Sequence, residues 1–418
     1  MDGTIPGRAV TATPASVPTG DPRRPSFGFM IGVLVTGQSI GTMGTTMIPA
    51  VAPKVAATLG ISSALIGYQI SLLALAMIVA LAFGSRFSRR WGSTRMQQVG
   101  LTLVATGGLI AILPHVFFFY AAAIALGLGY GSLTPSASSL LMRFTPATRR
   151  NLIFSLKQTG VPLGGIGAAL ITPAVAVAWG WQWAILGNSL ALFVLVFVLQ
   201  RGRPYWDDDR DPQAKITGNP FSGVTTIWKH PGLRLLSIAG GCFVVVQICL
   251  STFTVILFNE EFGWGLIEAG IVLTASQVGG VTGRVFWGWL ADLTGNCFGM
   301  LSLLGVVMTA SALGCYALTP QWSMLAASAL FFVLGSTASG WNGAFLAEVA
   351  RLAPRESISI ATGGSLVFVN TGKAVGPIAF ANAFLLTGNY QMVFVLLALP
   401  AALGLWCVWA AHRGTTTR

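Results

Sequence analysis

Residues 85–92 read SRFSRRWG and, in the second half of the chain, residues 288–295 read GWLADLTG. Each stretch follows a long apolar segment and ends in glycine, which is typical of a tight turn between two hydrophobic helices. A second pair of similar stretches, Arg143-Phe-Thr-Pro146 and Arg351-Leu-Ala-Pro354, also ends apolar segments. The sequence therefore predicts two structurally related halves.

The composition indicates a membrane protein. Of the 418 residues, 54% are hydrophobic and 9% are charged, whereas soluble domains carry about a quarter charged residues. Runs of about 20 apolar residues, the length that a helix needs to cross a bilayer, recur along the chain. We predict an all-α polytopic protein with twelve transmembrane helices, near residues 27–52, 62–83, 96–114, 117–142, 151–176, 181–200, 233–257, 267–290, 297–318, 322–349, 358–385 and 389–411. This pattern excludes soluble enzymes, β-barrels and, despite the formal charge of +12, nucleic-acid-binding proteins.

Basic residues fall on alternate loops, after the second, fourth, sixth and tenth predicted helices and at the end of the chain. By the positive-inside rule, these loops and both termini are cytoplasmic, as in a multi-pass protein of a bacterial-type inner membrane. The domains predicted are a disordered cytoplasmic tail (1–26), an N-terminal six-helix bundle (27–200), a cytoplasmic linker (201–232), a C-terminal six-helix bundle (233–411) and a cytoplasmic tail (412–418).

Three basic residues, Lys157, Arg284 and Lys373, lie inside predicted membrane helices. An ionisable group at this depth is costly and usually faces a cavity and a partner. Arg284 precedes Asp292 by eight residues, so it should lie about 12 Å above the cytoplasmic loop. No carboxylate is expected at the same depth, so a small organic anion is the favoured partner of Arg284 and Lys373, with carbonyls and water as the alternative. Lys157 lies nearer its helix end and could instead snorkel to the surface.

These features resemble the major facilitator superfamily. Its signature between helices two and three, G-x-x-x-D-R-x-G, is similar to Gly288, Asp292 and Gly295 in the second half. The first-half copy keeps Arg90 but has Arg89 in place of the Asp. The resemblance implies two pseudo-twofold-related bundles around a central cavity, with Asp292, Arg90 and Gly288 in a cytoplasmic gate.

The stretch 284–292, RVFWGWLAD, resembles helix eight of bacterial oxalate:formate antiporters, in which an Arg precedes the loop Asp by the same interval and binds a carboxylate. Lys373 matches the position of that family's helix-eleven Lys. Arg284 is also similar to the helix-eight Arg of monocarboxylate transporters, but their Asp four residues earlier is Gly280 here. The resemblance implies a secondary transporter of a mono- or dicarboxylate, by antiport or uniport, and the departure at Gly280 argues against proton coupling at this position.

Polar and aromatic residues on other helices complete the expected binding site. In the family, helices four and ten face the cavity, so Tyr130 and Trp341 are expected to sandwich a planar acid. The remaining candidates, each of which could equally serve helix packing, are Gln38, Thr42, Tyr68, Gln247, Gln277 and Asn342.

Other functions stay open at this point. A proton-coupled exporter of amphipathic compounds usually carries a helix-four Arg four residues before a Gly, a position held here by Ala123. A non-transporting receptor would have an added sensory or docking domain, which the sequence does not show. An enzyme is disfavoured because His115, His230 and His412 lie at loops or ends, with no nucleophile in a matching pattern. The cysteines lack metal-site or disulfide spacing, so we expect no metal. We also expect a monomer in the lipid bilayer, without a cofactor.

Overall fold

The computed structural model describes residues 25–146, 149–213, 222–353 and 358–416, and among these it contains helices and no strands. The first half contains α1 (Phe27–Ala50), α2 (Ala52–Leu59), α3 (Ile66–Trp91), α4 (Ser93–Ala111), α5 (Val116–Phe144), α6 (Arg150–Gln158), α7 (Gly160–Ala178) and α8 (Trp181–Gln200). Two short helices follow, α9 (Arg203–Trp206) and α10 (Ser222–Lys229). The second half contains α11 (Pro231–Ile256), α12 (Leu266–Thr294), α13 (Cys297–Gly314), α14 (Met324–Leu352), α15 (Ile358–Thr387), α16 (Tyr390–Leu396) and α17 (Ala398–Thr416).

The prediction of twelve membrane-spanning helices is confirmed. Ten spans within the described residues are long and apolar enough to cross a bilayer. The other two spans are α4 and α15, with 19 and 30 residues. Both are long enough to cross, and both are more polar, with Gln97 and Gln98 on α4 and Asn370 and Lys373 on α15.

The two halves use the same helix contacts. In the first half α3 and α4 pack on α5, α1 packs on α7, and α8 packs on α1 and α4. In the second half α12 and α13 pack on α14, α11 packs on α15, and α17 packs on α11 and α13. The two most extensive contacts between the halves are α3 with α15 and α7 with α12. When each helix is replaced by its counterpart in the other half, one of these contacts becomes the other. This repetition is the pseudo-twofold symmetry expected from the sequence.

Small residues allow the close crossings within each half. A Cβ on Gly131 of α5 would lie 2.8 Å from the Met77 carbonyl oxygen of α3, and one on Gly160 of α7 would lie 2.8 Å from the Val35 carbonyl oxygen of α1. Membrane helices associate through such packing because lipid supplies no hydrophobic drive between them. The glycine-rich start of α7 is thus explained by its contact with α1.

Several predicted boundaries were wrong. Helices α3 and α12 continue beyond residues 83 and 290 to Trp91 and Thr294, because charged residues can extend a helix once it has left the hydrocarbon. The predicted helix 151–176 is divided into α6 and α7. The chain stays helical to Thr416, so the tail predicted from residue 412 is mostly helix. The predicted N-terminal tail lies outside the described residues except for 25–26, as does the part of the linker at 214–221.

The halves meet at the end of the bundle opposite residues 201–213 and 222–231. We call that end the far end, and the end that carries residues 201–213 and 222–231 the linker end. At the far end Ser63 hydrogen-bonds Glu260, and the Tyr68 hydroxyl donates to Asn382 Oδ1 over 2.8 Å. Both contacts join the first half to the second. They bridge the two halves on the far side of the space between them.

Candidate substrate site

A cavity of about 170 Å³ lies between the halves. It is lined by α1, α3, α5 and α7 from one half and by α11, α12, α14 and α15 from the other. Much of its wall is apolar, including Ile70, Leu73, Met77 and Val244. An engineered protein cavity of about 150 Å³ holds a benzene molecule, so this cavity suits a single ring or a short-chain acid.

Arg284 of α12 and Lys373 of α15 both line this cavity. Arg284 Nε donates to the Ser339 carbonyl oxygen at 3.4 Å. Within the described residues, the terminal nitrogens of Arg284 and the Nζ of Lys373 have no hydrogen-bond partner, and the cations are close enough to repel each other. No described Asp or Glu lines the cavity. The site therefore presents two cations without a counter-ion from the described protein.

Tyr130 of α5 faces these cations from the first half. Its hydroxyl accepts a hydrogen bond from Gln38 Nε2 at 3.0 Å and lies 3.0 Å from Thr42 Oγ1. Because Thr42 Oγ1 donates to the Gln38 carbonyl oxygen at 2.7 Å, the Tyr130 hydroxyl must donate to Thr42. The hydroxyl also interacts electrostatically with Arg284. This hydrogen-bonded cluster holds the ring in place beside the cation.

The other predicted cavity residues are only partly brought together. Gln247 lines the cavity, as do Gln277 and Thr42, whereas Gln38 lies buried behind Tyr130. Sequence reasoning missed Ser339, Ser251 and Thr252, which also line it. Serine and threonine are so frequent at membrane-helix contacts that no sequence signal separates these three from packing residues.

The prediction that Trp341 lines the cavity was wrong. Its side chain is 0% exposed, its Nε1 donates to the Ala338 carbonyl oxygen at 2.9 Å, and its ring contacts Phe345. Ser339 is the α14 residue at the cavity, and two residues further along, a helix has turned by about 200°. Asn342, one turn from Ser339 toward the linker end, donates to the Ser339 carbonyl oxygen at 3.2 Å and does not line the cavity.

Lys157 lies at the end of α6, beside the break before α7. Its side chain is only 3% exposed, so it does not reach the surface as one alternative predicted. It does not line the cavity either. Its Nζ donates to Oε1 of the adjacent Gln158 at 3.2 Å. Lys157 is therefore a buried cation separate from the pair formed by Arg284 and Lys373.

The predicted gating residues lie at the linker end. Asp292 is exposed on the last turn of α12, and a Cβ on Gly288 would meet no atom within 4 Å. Arg90 lies in the last turn of α3, beside other arginines of the first half and the linker. Their role in a gate stays a prediction.

Asp207 holds the linker against the turn between α3 and α4, where the first-half motif has Arg89 instead of an Asp. Its carboxylate accepts hydrogen bonds from the backbone N–H groups of Thr94, at 2.6 Å, and Arg95, at 2.9 Å. Burial raises the pKa of Asp207, and these two bonds oppose that rise. Asp207 thereby caps α4 from a distant part of the sequence. The acidic run in the linker was the only sequence signal for it.

Comparison with known proteins agrees with this architecture. A crystal structure of a bacterial homologue of the human lysosomal transporter Spinster superposes with a TM-score of 0.74 at 15% identity, covering 94% of this chain and 98% of that chain. At this identity the likeness concerns the fold alone.

Curated relatives differ in the cargo that their names state. Monocarboxylate transporter 13 of Bos taurus is 25% identical over 326 residues, 75% of this chain and 72% of that protein. A multi-drug resistance efflux pump PmrA homologue of Lactococcus lactis is 29% identical over 181 residues, 41% of this chain and 42% of that protein.

The chain spans about half the length of two uncharacterized MFS-type transporters of Mycobacterium tuberculosis, with 24% identity over 228 residues, 53% of this chain and 48% of each of those proteins. The family model of the Major Facilitator Superfamily matches residues 34–377 and, in a second match, residues 236–417. With twelve membrane spans among the described residues, arranged in two related bundles around a central cavity, this chain belongs to the Major Facilitator Superfamily.

Proposed function

We propose that this protein is a secondary transporter that carries a small organic anion, a mono- or dicarboxylate, across the bacterial inner membrane by alternating access. The observation that carries the proposal is the pair formed by Arg284 and Lys373 in a cavity that no described carboxylate lines. Two cations in so apolar a place are poorly solvated, and an incoming carboxylate stabilises both.

The two cations differ in the recognition they offer. Arg284 has a planar fork that can bind both oxygens of one carboxylate, whereas Lys373 offers a point charge. A dianion would neutralise both residues. A monoanion would leave one positive charge in the cavity, so its movement would depend on the membrane potential. The volume of about 170 Å³ favours acids with few carbon atoms or one ring.

The same charges favour exchange over uniport. Changing the access side of an empty carrier would require Arg284 and Lys373 to pass through a closed state with no counter-ion, which is costly. A loaded carrier avoids that cost because the cargo neutralises the site. The relative named as a monocarboxylate transporter supports a carboxylate cargo. Gly280, where such transporters have an Asp, supports a coupling other than proton symport through that position.

A proton-coupled exporter of amphipathic compounds is the second candidate. The apolar wall of the cavity and the relative named as a multidrug efflux pump favour it. The cationic pair disfavours it, because cationic or neutral drugs would leave both charges unpaired. Only an acidic amphipathic cargo would suit the site equally well.

Reconstituted liposomes test the two candidates directly. Uptake of labelled mono-, di- and aromatic carboxylates is measured with and without the same acid inside, and with and without a pH gradient. We expect uptake to require an internal carboxylate and to be unaffected by a pH gradient alone. Uptake of cationic amphipathic compounds driven by a pH gradient, with no carboxylate transported, would contradict the proposal and support the exporter.

A further inference from the structure

A second cavity lies at the linker end of the first half, separate from the substrate site. It has a volume of about 550 Å³ and lies between the turn that joins α3 to α4 and the segment that follows α8. Its lining includes four arginines, Arg90, Arg95, Arg203 and Arg210. We call it the arginine pocket. An adjoining cavity of about 490 Å³ shares Arg203 and Arg210 with it.

The linker carboxylates beside this pocket, Asp207, Asp208, Asp209 and Asp211, all have other partners, and Asp211 Oδ1 accepts the Gln213 N–H at 3.0 Å. Asp207 interacts electrostatically with Arg203, but its oxygens accept the two backbone hydrogen bonds at the start of α4. Asp208 pairs with Arg143 at 2.6 Å, as Asp209 does at 2.9 Å. Within the described part of the chain, none of the four pocket arginines forms a salt bridge through its guanidinium group. The pocket therefore has a surplus of positive charge.

The backbone holds these arginines in a fixed arrangement. Asp207 anchors the linker to the start of α4, and the Asp211 N–H donates to the Arg89 carbonyl oxygen at 2.8 Å. Arg203 and Arg210 are thus attached beside Arg90 rather than carried on a free loop. Guanidinium groups converging on one space suit a phosphate group, whose oxygens accept paired N–H donors.

The position of the pocket indicates a ligand that also has an apolar part. Val99 of the membrane helix α4 and Trp91, which is 42% exposed, complete the lining. Tryptophan favours the headgroup level of a bilayer. Helix α8 packs beside α4 and has apolar side chains exposed near its linker end, including Phe197 at 75%. Acyl chains could lie along this surface while a headgroup occupies the pocket.

We propose that the arginine pocket binds the phosphate headgroup of an anionic phospholipid. Phosphate is the shared chemistry of a lipid headgroup and of a soluble phosphate ester, and the apolar surface beside the pocket selects the lipid. Basic pockets on the cytoplasmic side of membrane helices are suited to such headgroups. The bound lipid would contact the α3–α4 turn and the linker together.

The test uses the full chain in detergent at physiological salt, where exposed charges are screened beyond about 8 Å. Native mass spectrometry measures binding of phosphatidylglycerol and of phosphatidylcholine to the parent, to an Arg203→Gln, Arg210→Gln double variant, and to Arg210→Gln alone. The matched control, Arg149→Gln with Arg201→Gln, removes the same charge from exposed positions outside the pocket. Thermal unfolding shows whether each variant is folded.

We expect the parent to prefer phosphatidylglycerol, the double variant to bind it at least about tenfold more weakly, and the control to change by less than about threefold. Arg210→Gln alone should show an intermediate loss, which provides the answer if the double variant fails to fold. Equal losses in the control and the pocket variants would overturn the proposal. If glycerol 3-phosphate displaced the lipid at equal concentration, the site would be one for a soluble anion and the lipid assignment would be wrong.

Discussion

Replacing Arg284 by lysine is the sharpest test of the substrate site. The substitution keeps the positive charge but removes the planar guanidinium group, which can donate two parallel hydrogen bonds to one carboxylate. The guanidinium uses Nε for its long contact with Ser339 and has no other hydrogen-bond partner among the described residues. Its two terminal nitrogens are therefore available to one carboxylate of the cargo. Lysine at this position would offer one point contact in place of two parallel ones.

The size of the effect follows from the lost contact. A hydrogen bond to a charged group contributes about 1.5–3 kcal/mol. Losing one of the two contacts should raise the dissociation constant for the best carboxylate roughly 10- to 150-fold. Arg284→Gln removes the charge as well, so the loss should be larger and greatest for a dianion.

Isothermal titration calorimetry on purified protein measures these constants, and counterflow in liposomes checks that transport changes in the same order. The matched control is Arg234→Lys, since Arg234 stacks on Trp228 at 5.3 Å and does not line the cavity. The dissociation constant of Arg234→Lys for the same carboxylate should equal that of the parent protein. If Arg284→Lys bound every carboxylate as tightly as the parent, or if Arg234→Lys were equally impaired, the fork would not bind the cargo.

Four further predictions concern Lys373, Asp292, Asp207 and the membrane orientation of the linker. Lys373→Gln should weaken dicarboxylate binding more than monocarboxylate binding in the same calorimetric assay, because a dianion needs both cations whereas a monoanion keeps the contacts with Arg284; equal losses would contradict this. Asp292→Asn should lower the rate of counterflow more than the affinity, as a gating residue at the linker end would, and an unchanged rate would count against a gate. Asp207→Ala should lower stability by about 0.5–2 kcal/mol through loss of the cap of α4, seen as a lower thermal midpoint than in the matched variant Asp209→Ala. Cysteines at the exposed positions 208–213 should be labelled only from the cytoplasmic side, and labelling of intact cells from outside would reverse the orientation.

The fold could be predicted from the sequence because few backbone structures are able to cross a bilayer. A run of apolar residues of membrane length has to be helical. The twelve runs accordingly correspond to twelve membrane spans among the described residues, two of which are each divided into two helices. The motifs after helices two and eight then related the halves. The ends of helices at the linker end were predicted several residues too early. Charged residues were taken to mark the end of a helix, whereas α3, for example, continues through its charged residues to Trp91.

Residues of the site could be predicted only where a side chain differs chemically from the apolar helix that carries it. A cation in an apolar helix has few explanations, which is why Arg284 and Lys373 were identified and were found at one cavity. Trp341 offers no such signal. A membrane helix has apolar side chains toward lipid, toward the protein core and toward a cavity, so an aromatic residue does not indicate which of these it faces. Which side of α14 faces the cavity depends on its crossing with α12, where a Cβ on Gly280 would lie 2.9 Å from Ser339 Oγ. That crossing cannot be read from the residues of α14 alone.

The two halves differ in the charged residues that they contribute to the cavity. Arg284 lies four residues before Gly288, and the residue four positions before Ser85 in the first-half motif is Leu81. The second half therefore supplies both cations, while the first half supplies the neutral cluster around Tyr130. An anion held in this cavity would be bound mainly by the second half, and the first half could move across it at little electrostatic cost. If the halves move as rigid bodies, as the proposed alternating access requires, the unequal distribution of charge would keep an anionic cargo with the second half.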